Sequence, residues 1–123
     1  MKKTIEVEVQ ATYLAEQSDA ARQQFAHAYT INITNHSNMG AQLLSRHWEI
    51  QDETGHVDTV IGEGVVGQQP HISAGESFEY SSGAVIHTPT GTMKGSYTML
   101  SDSGERFQVE IPEFILSEPY TLQ

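Results

Sequence analysis

Apolar side chains recur at every second residue along most of this chain, and that period decides what it can fold into. Ile5, Val7, Val9, Ala11 and Tyr13 alternate with Glu6, Glu8, Gln10 and Thr12. Phe25, His27, Tyr29, Ile31 and Ile33 alternate with Ala26, Ala28, Thr30, Asn32 and Thr34. Successive side chains of a strand point to opposite faces, so each run reads as a strand with one face on a core. A third strand runs from about Gln42 to Asp52, with Leu44, Arg46, Trp48 and Ile50 on one face and His47, Glu49 and Gln51 on the other. His56 to Ile61 returns as a fourth, Glu76 to Val85 holds a fifth with Phe78 and Tyr80, and Met93, Tyr97 and Met99 mark a sixth. Phe107, Val109 and Ile111 mark a seventh, which Pro112 breaks, and Phe114, Ile115 and Leu116 form a short final segment against the core.

Turn residues separate these runs: Asn35 to Gly40, Asp52-Glu53-Thr54-Gly55, Thr88-Pro89-Thr90-Gly91 and Ser101-Asp102-Ser103-Gly104. Leu14 to Arg22 is polar and alanine-rich and reads as a loop with one helical turn; no long helix is written anywhere. About seven short strands with turns at steps of roughly ten residues predict an all-β fold, a two-sheet antiparallel sandwich. At 123 residues the chain reads as a single domain over 1–123. A domain of this size buries roughly two thirds of its unfolded surface and needs neither disulfide nor metal to fold. Trp48 is its largest core side chain. Tyr97, two residues after Gly95, reads either as a tyrosine corner returning its hydroxyl to upstream backbone or as an ordinary core tyrosine.

With no cysteine, thiolate nucleophiles and thiolate metal sites are excluded. The formal net charge of -10, from 16 acidic and 6 basic residues, disfavours nucleic acid and anionic membrane surfaces as partners. Met1-Lys2-Lys3 is followed by alternating residues that include Glu6 and Glu8, so no apolar signal segment develops, and a cytoplasmic location is expected.

Gly62-Glu63-Gly64-Val65-Val66-Gly67-Gln68-Gln69-Pro70 carries the spacing G-x-G-x-x-G. That spacing marks a dinucleotide site only where a strand precedes it and a helix follows, because the phosphate sits on the helix N-terminus. Here Pro70 and a segment without helical period follow, so a structural connection is expected. At least one of Gly62, Gly64 and Gly67 should have positive φ or no room for a Cβ, and Val65 and Val66 should be mainly buried. A backbone nest that binds an anion without a helix is the alternative, with Gly62, Gly64 and Gly67 as phosphate-binding residues.

Among metal candidates, His47 and Glu49 share a strand face, and His56 and Asp58 form a second pair across the turn. A two-residue turn would bring the pairs to one face, whereas the Asp-x-x-Gly pattern favours a bulged turn with Gly55 left-handed that sends them to opposite faces. No metal residues and no cofactor are therefore assigned. Ser81, Ser82 and His87 lie close in sequence but lack a nucleophile elbow, so no catalytic residues are assigned and the chain is read as a non-enzyme. Asp52 and Glu53 read as exposed turn carboxylates with nothing to shift their pKa.

Ser45-Arg46-His47-Trp48, Gly62 to Pro70, Gly75 to Gly83, Gly91 to Tyr97 and Ile111-Pro112-Glu113-Phe114 together resemble the ApaG family, in order and over nearly the whole chain. Ala74 departs from it, standing where members often carry Pro before Gly-Glu. The resemblance implies a fibronectin type III-like or immunoglobulin-like sandwich in a bacterial cytosolic protein. It also implies a genetic link to cobalt and magnesium tolerance and frequent encoding beside a diadenosine tetraphosphate hydrolase. Related eukaryotic domains occur in F-box and polymerase-associated proteins, which points to protein binding. The family supplies no catalytic residues; its glycine motif, here Gly62, Gly64 and Gly67, is associated with pyrophosphate. Three functions are thus expected, in this order: binding an unidentified protein partner, with homo-oligomerisation as one form of it; binding a phosphate or dinucleoside polyphosphate on Gly62–Gly67; and binding divalent cations.

Overall fold

The computed structural model describes residues 5–118. Within them the alternating runs become eight strands: β1 (Ile5–Tyr13), β2 (Phe25–Asn35), β3 (Ala41–Asp52), β4 (Val57–Glu63), β5 (His71–Ile72), β6 (Ser77–Ile86), β7 (Thr90–Ser101) and β8 (Arg106–Ser117). One antiparallel sheet has the order β1-β2-β6; the other has the order β4-β3-β7-β8, with β5 also paired to β3. The sheets form the expected sandwich. Phe25, Tyr29, Ile31 and Ile33 line its core from β2 as their spacing requires, and Trp48, Tyr97, Met99 and Leu116 join them from the other sheet. Tyr29, Trp48 and Phe114 meet as an aromatic cluster with centroids 5.4–5.9 Å apart.

Three details differ from the sequence reading, and a fourth decides between two alternatives. Leu44 is not on the core face. The β3–β7 register slips between Leu43 and Ser45, so Leu43 is the fully buried residue. A bulge adds one residue to a strand and changes which parity faces inward. Pro112 does not break the last strand, which continues to Ser117 and includes the segment at Phe114. The register shifts where Met93–Gly95 opposes Ile111–Phe114, so Pro112 sits in a bulge of an edge strand, where its missing N–H costs no ladder bond. Of the two roles open to Tyr97, it takes the core one and makes no corner: it is fully buried, and its hydroxyl meets that of Tyr80 at 2.5 Å. The eighth strand, β5, is only two residues long, below what a period can register.

The Leu14–Arg22 loop holds two short 3-10 turns, Ala15–Gln17 and Ala20–Arg22. In the Asn35–Gly40 turn, Asn35 is fully buried. Its amide donates to the carbonyls of Met39 (3.0 Å) and Ile72 (2.9 Å), and its Oδ1 accepts from the Ser37 N–H (2.9 Å). This tethers the turn to β5. No helix among the described residues is long and apolar enough to cross a membrane.

Candidate functional site

The glycine stretch interrupts one edge of the second sheet. β4 pairs with β3 from Ser45 to Gln51, and β5 resumes on the same strand at Ala41 and Gln42. Between them the chain leaves the sheet as a tight hairpin. Val65 and Gln68 exchange backbone hydrogen bonds of 2.8 and 2.9 Å, and Val66 and Gly67 form the tip. The bulged Leu44 anchors the excursion, its carbonyl accepting from the Gly64 N–H (2.8 Å) and from Gln69 Nε2 (2.9 Å).

Each glycine has a distinct structural reason. Gly64 has φ +65, and a Cβ there would overlap the Gln68 carbonyl oxygen. Gly67 has φ +81 in open space. Gly62 lies directly opposite Arg46, and a Cβ on it would stand 2.8–2.9 Å from the guanidinium. Positive φ at Gly64 and Gly67, and crowding at Gly62 and Gly64, agree with the structural expectation. Val65 is fully buried, as expected. Val66 is not: it is 52% exposed, with φ +43. A turn with two left-handed residues at its tip suits hairpin twist, but Val there is β-branched and strained, and the geometry turns it outward. The amides of Gly64, Val65 and Gln68 are taken up by internal hydrogen bonds. Among the described residues, no helix follows the glycines.

Arg46 is the residue this arrangement serves. Its Nη1 donates to the carbonyls of Glu63 (3.1 Å) and Gly64 (2.9 Å), so the guanidinium lies pinned across Gly62. The ion pairs among the described residues are Arg22–Asp19, His36–Glu6, His56–Asp58 and His71–Asp102; Arg46 belongs to none of them. It faces a cleft of about 250 Å³ between the sheets, lined by Tyr29 from β2, Trp48 from β3, Tyr80 and Ser82 from β6, and Glu63 with the hairpin tip. Burial raises the pKa of the Tyr29 hydroxyl, while a hydrogen bond with Ser82 and the Arg46 charge pull the other way. Burial pushes Tyr80 up to about 12 and raises Tyr97 as well. These phenols are therefore neutral hydroxyls near pH 7. The cleft combines one cation, several neutral hydroxyls and an apolar wall. A wider groove of about 760 Å³ lies between the 37–41 and 101–110 segments; its lining holds Glu105 and Glu110 and no basic side chain.

Sequence reasoning assigned no function to Arg46, Tyr29, Tyr80 or Ser82. The available signal was Arg46 on the core-facing parity of its strand, a place where a charge needs a partner.

The other candidates do not converge. Asp58 stands opposite Ile50, and Gly55 has φ +90, so the turn is the bulged form and His56 and Asp58 face away from His47 and Glu49. His56 Nε2 instead lies 3.0 Å from Asp58 Oδ1. Ser81 Oγ pairs with Thr30 (2.7 Å), and His87 Nδ1 donates to the Gln23 carbonyl (3.1 Å), so Ser81, Ser82 and His87 assemble no triad. Asp52 departs from expectation. Although exposed, its carboxyl is held below its usual pKa, chiefly by the Thr54 hydroxyl, because it accepts from Thr54 Oγ1 (2.6 Å) and the Thr54 N–H (2.9 Å).

A family model described as the ApaG domain matches residues 15–101. The chain is 52% identical to Protein ApaG of Nitrosospira multiformis over 121 residues, 98% of this chain and 95% of that protein. It is equally 52% identical to Protein ApaG of Pseudomonas putida over 118 residues, covering 96% and 94%. Among solved structures, the ApaA protein of Bordetella pertussis superposes with a TM-score of 0.91 at 48% identity, covering 94% of both chains. A protein from Archaeoglobus fulgidus shares the fold alone, with a TM-score of 0.53 at 10% identity over 94% of this chain and 99% of that one.

Proposed function

The chain belongs to the ApaG family, and on that footing we propose that it is a non-catalytic binding module whose partner, another protein, docks along the edge of β4. The observation that carries this is the character of that edge. An unpaired strand edge is a template for another strand, and proteins blunt the edges they do not use with charges, Pro or bulges. β8 is blunted by Pro112 in its bulge, and the edges β1 and β6 carry Glu6, Glu8 and Glu79. β4 has no register shift and no Pro; it carries Asp58 and Glu63, but its sequence Val57-Asp58-Thr59-Val60-Ile61-Gly62-Glu63 exposes more large apolar side chains than any other edge. Val57 and Val60 are exposed, Ile61 is 72% exposed, and Val66 continues the apolar strip at the hairpin tip. Main-chain hydrogen bonds along such an edge supply affinity, and alternate side chains supply selection.

The test is affinity capture from a cell lysate with the wild-type chain and with Val57→Lys/Ile61→Lys, which changes exposed positions only. A protein held by the wild type and lost by the variant supports the reading; the same proteins on both baits contradict it. Sedimentation of the purified chain decides whether the partner is a second copy, paired β4 to β4. We place the cation-tolerance link and a cytoplasmic site of action downstream of this partner; cobalt binding at His47 and Glu49, seen by titration, would contradict that.

A further inference from the structure

We propose that the Arg46 cleft is a carboxylate pocket, and that it takes an acidic side chain of the segment docked on β4; the source of the carboxylate, though not the pocket, rests on the docking reading above. A half-buried guanidinium without a counter-ion needs one, since a charge taken partly out of water is costly unless paired. Arg46 is held in place by two backbone carbonyls on Nη1, while its Nη2 and Nε make no hydrogen bond among the described residues. Those donors form the planar fork that matches a carboxylate. Gly62 has no side chain to displace the guanidinium, and Ser82 and Tyr29 add neutral hydroxyls beside it.

Charge and size select the ligand. Arg46 is the single basic side chain lining the cleft, and Glu63 lines it too. With Glu63 beside it, a carboxylate leaves the cleft one negative charge in excess and a phosphate dianion two, in a chain of net charge -10, so the carboxylate is favoured. About 250 Å³ suits one acidic side chain and falls below the usual volume of a small-molecule site, about 300–1,000 Å³. Glu63 ends β4, so the pocket opens beside the edge where the partner strand runs.

The test is an NMR titration of the whole chain with sodium acetate against sodium chloride at equal ionic strength, following the Arg46 Nε–H signal and the Ser82 and Gly67 amides. Inorganic phosphate is titrated in parallel. Acetate should give saturable shifts at these signals, with phosphate weaker. Arg46→Gln should abolish the response. Because that change also removes two hairpin hydrogen bonds, Gly62→Ala provides a second variant: it keeps the charge but displaces the guanidinium, and should weaken acetate about ten-fold. No saturable acetate shift, phosphate binding tighter than acetate, or a wild-type response retained by either variant would overturn the pocket. A short capped valine-rich peptide with one central glutamate tests the source. It should bind about ten-fold tighter than acetate and than its glutamine counterpart. Equal affinity of the two peptides would overturn the strand-borne source while leaving β4 docking to be judged by capture.

Discussion

Replacing the three glycines of the hairpin one at a time by alanine should give unequal stability losses, by far the largest at Gly64. Gly64 has φ +65 and no room, because the Gln68 carbonyl oxygen occupies the Cβ position. Left-handed backbone costs an L-residue about 1–2 kcal/mol, and relieving the overlap must break or stretch the Val65–Gln68 pair, about 0.5–1.5 kcal/mol per bond. Gly64→Ala should therefore lose about 2–4 kcal/mol. Gly67 has φ +81 but open space. Its alanine variant carries only the strain, offset by about 0.4–1 kcal/mol from a less flexible unfolded chain, for a net loss of about 1 kcal/mol. Gly62 is not left-handed, and the atoms its Cβ would meet belong to the end of the Arg46 side chain. Its variant should lose only what the displaced Nη1 bonds to the Glu63 and Gly64 carbonyls contribute, about 1 kcal/mol. Urea unfolding at constant m measures the series. Equal losses at all three positions, or Gly62 as the costliest, would refute the reasoning. So would loss of phosphate affinity in all three without loss of stability, the result a phosphate-binding glycine motif requires.

Buried His27 has no hydrogen-bond partner for Nε2, and burial lowers its pKa from 6.5. Because the unfolded chain then takes up the proton first, stability should be level above pH 6.5 and fall as pH drops below it; His27→Leu should flatten that part of the profile in urea unfolding at a series of pH values. Asn35→Ala, which strands the carbonyls of Met39 and Ile72, should cost about 2–3 kcal/mol. Tyr80→Phe and Tyr97→Phe each orphan a buried hydroxyl, so each should cost about 1–3 kcal/mol and the double variant less than their sum. A sum that is simply additive would mean the two hydroxyls do not interact.

Strand positions were legible wherever one face is buried and the period is unbroken. β2 shows this from Phe25 to Asn35, and the Gly55 turn set the β3–β4 register through a known chemistry of bulged turns. What escaped has a common physical cause: it depends on contacts across the sheet rather than along the chain. The bulge at Leu44 leaves no compositional mark, because one inserted residue looks like any other. Pro112 signals an interruption, but only the edge position of β8 makes it harmless. Val66 was read as buried because Val usually is; the turn geometry that expels it comes from Gly67 and the Val65–Gln68 pair. The glycines were visible, but Gly62 acquires its meaning only when Arg46 is seen opposite it.

The measurement that bears most directly on the binding-module account is amide hydrogen exchange on the chain with and without its captured partner. The account predicts new protection concentrated on β4, from Val57 to Glu63, and on the hairpin tip at Val66 and Gly67. Protection that appears instead along β1, β6 or β8, with β4 unchanged, would contradict it.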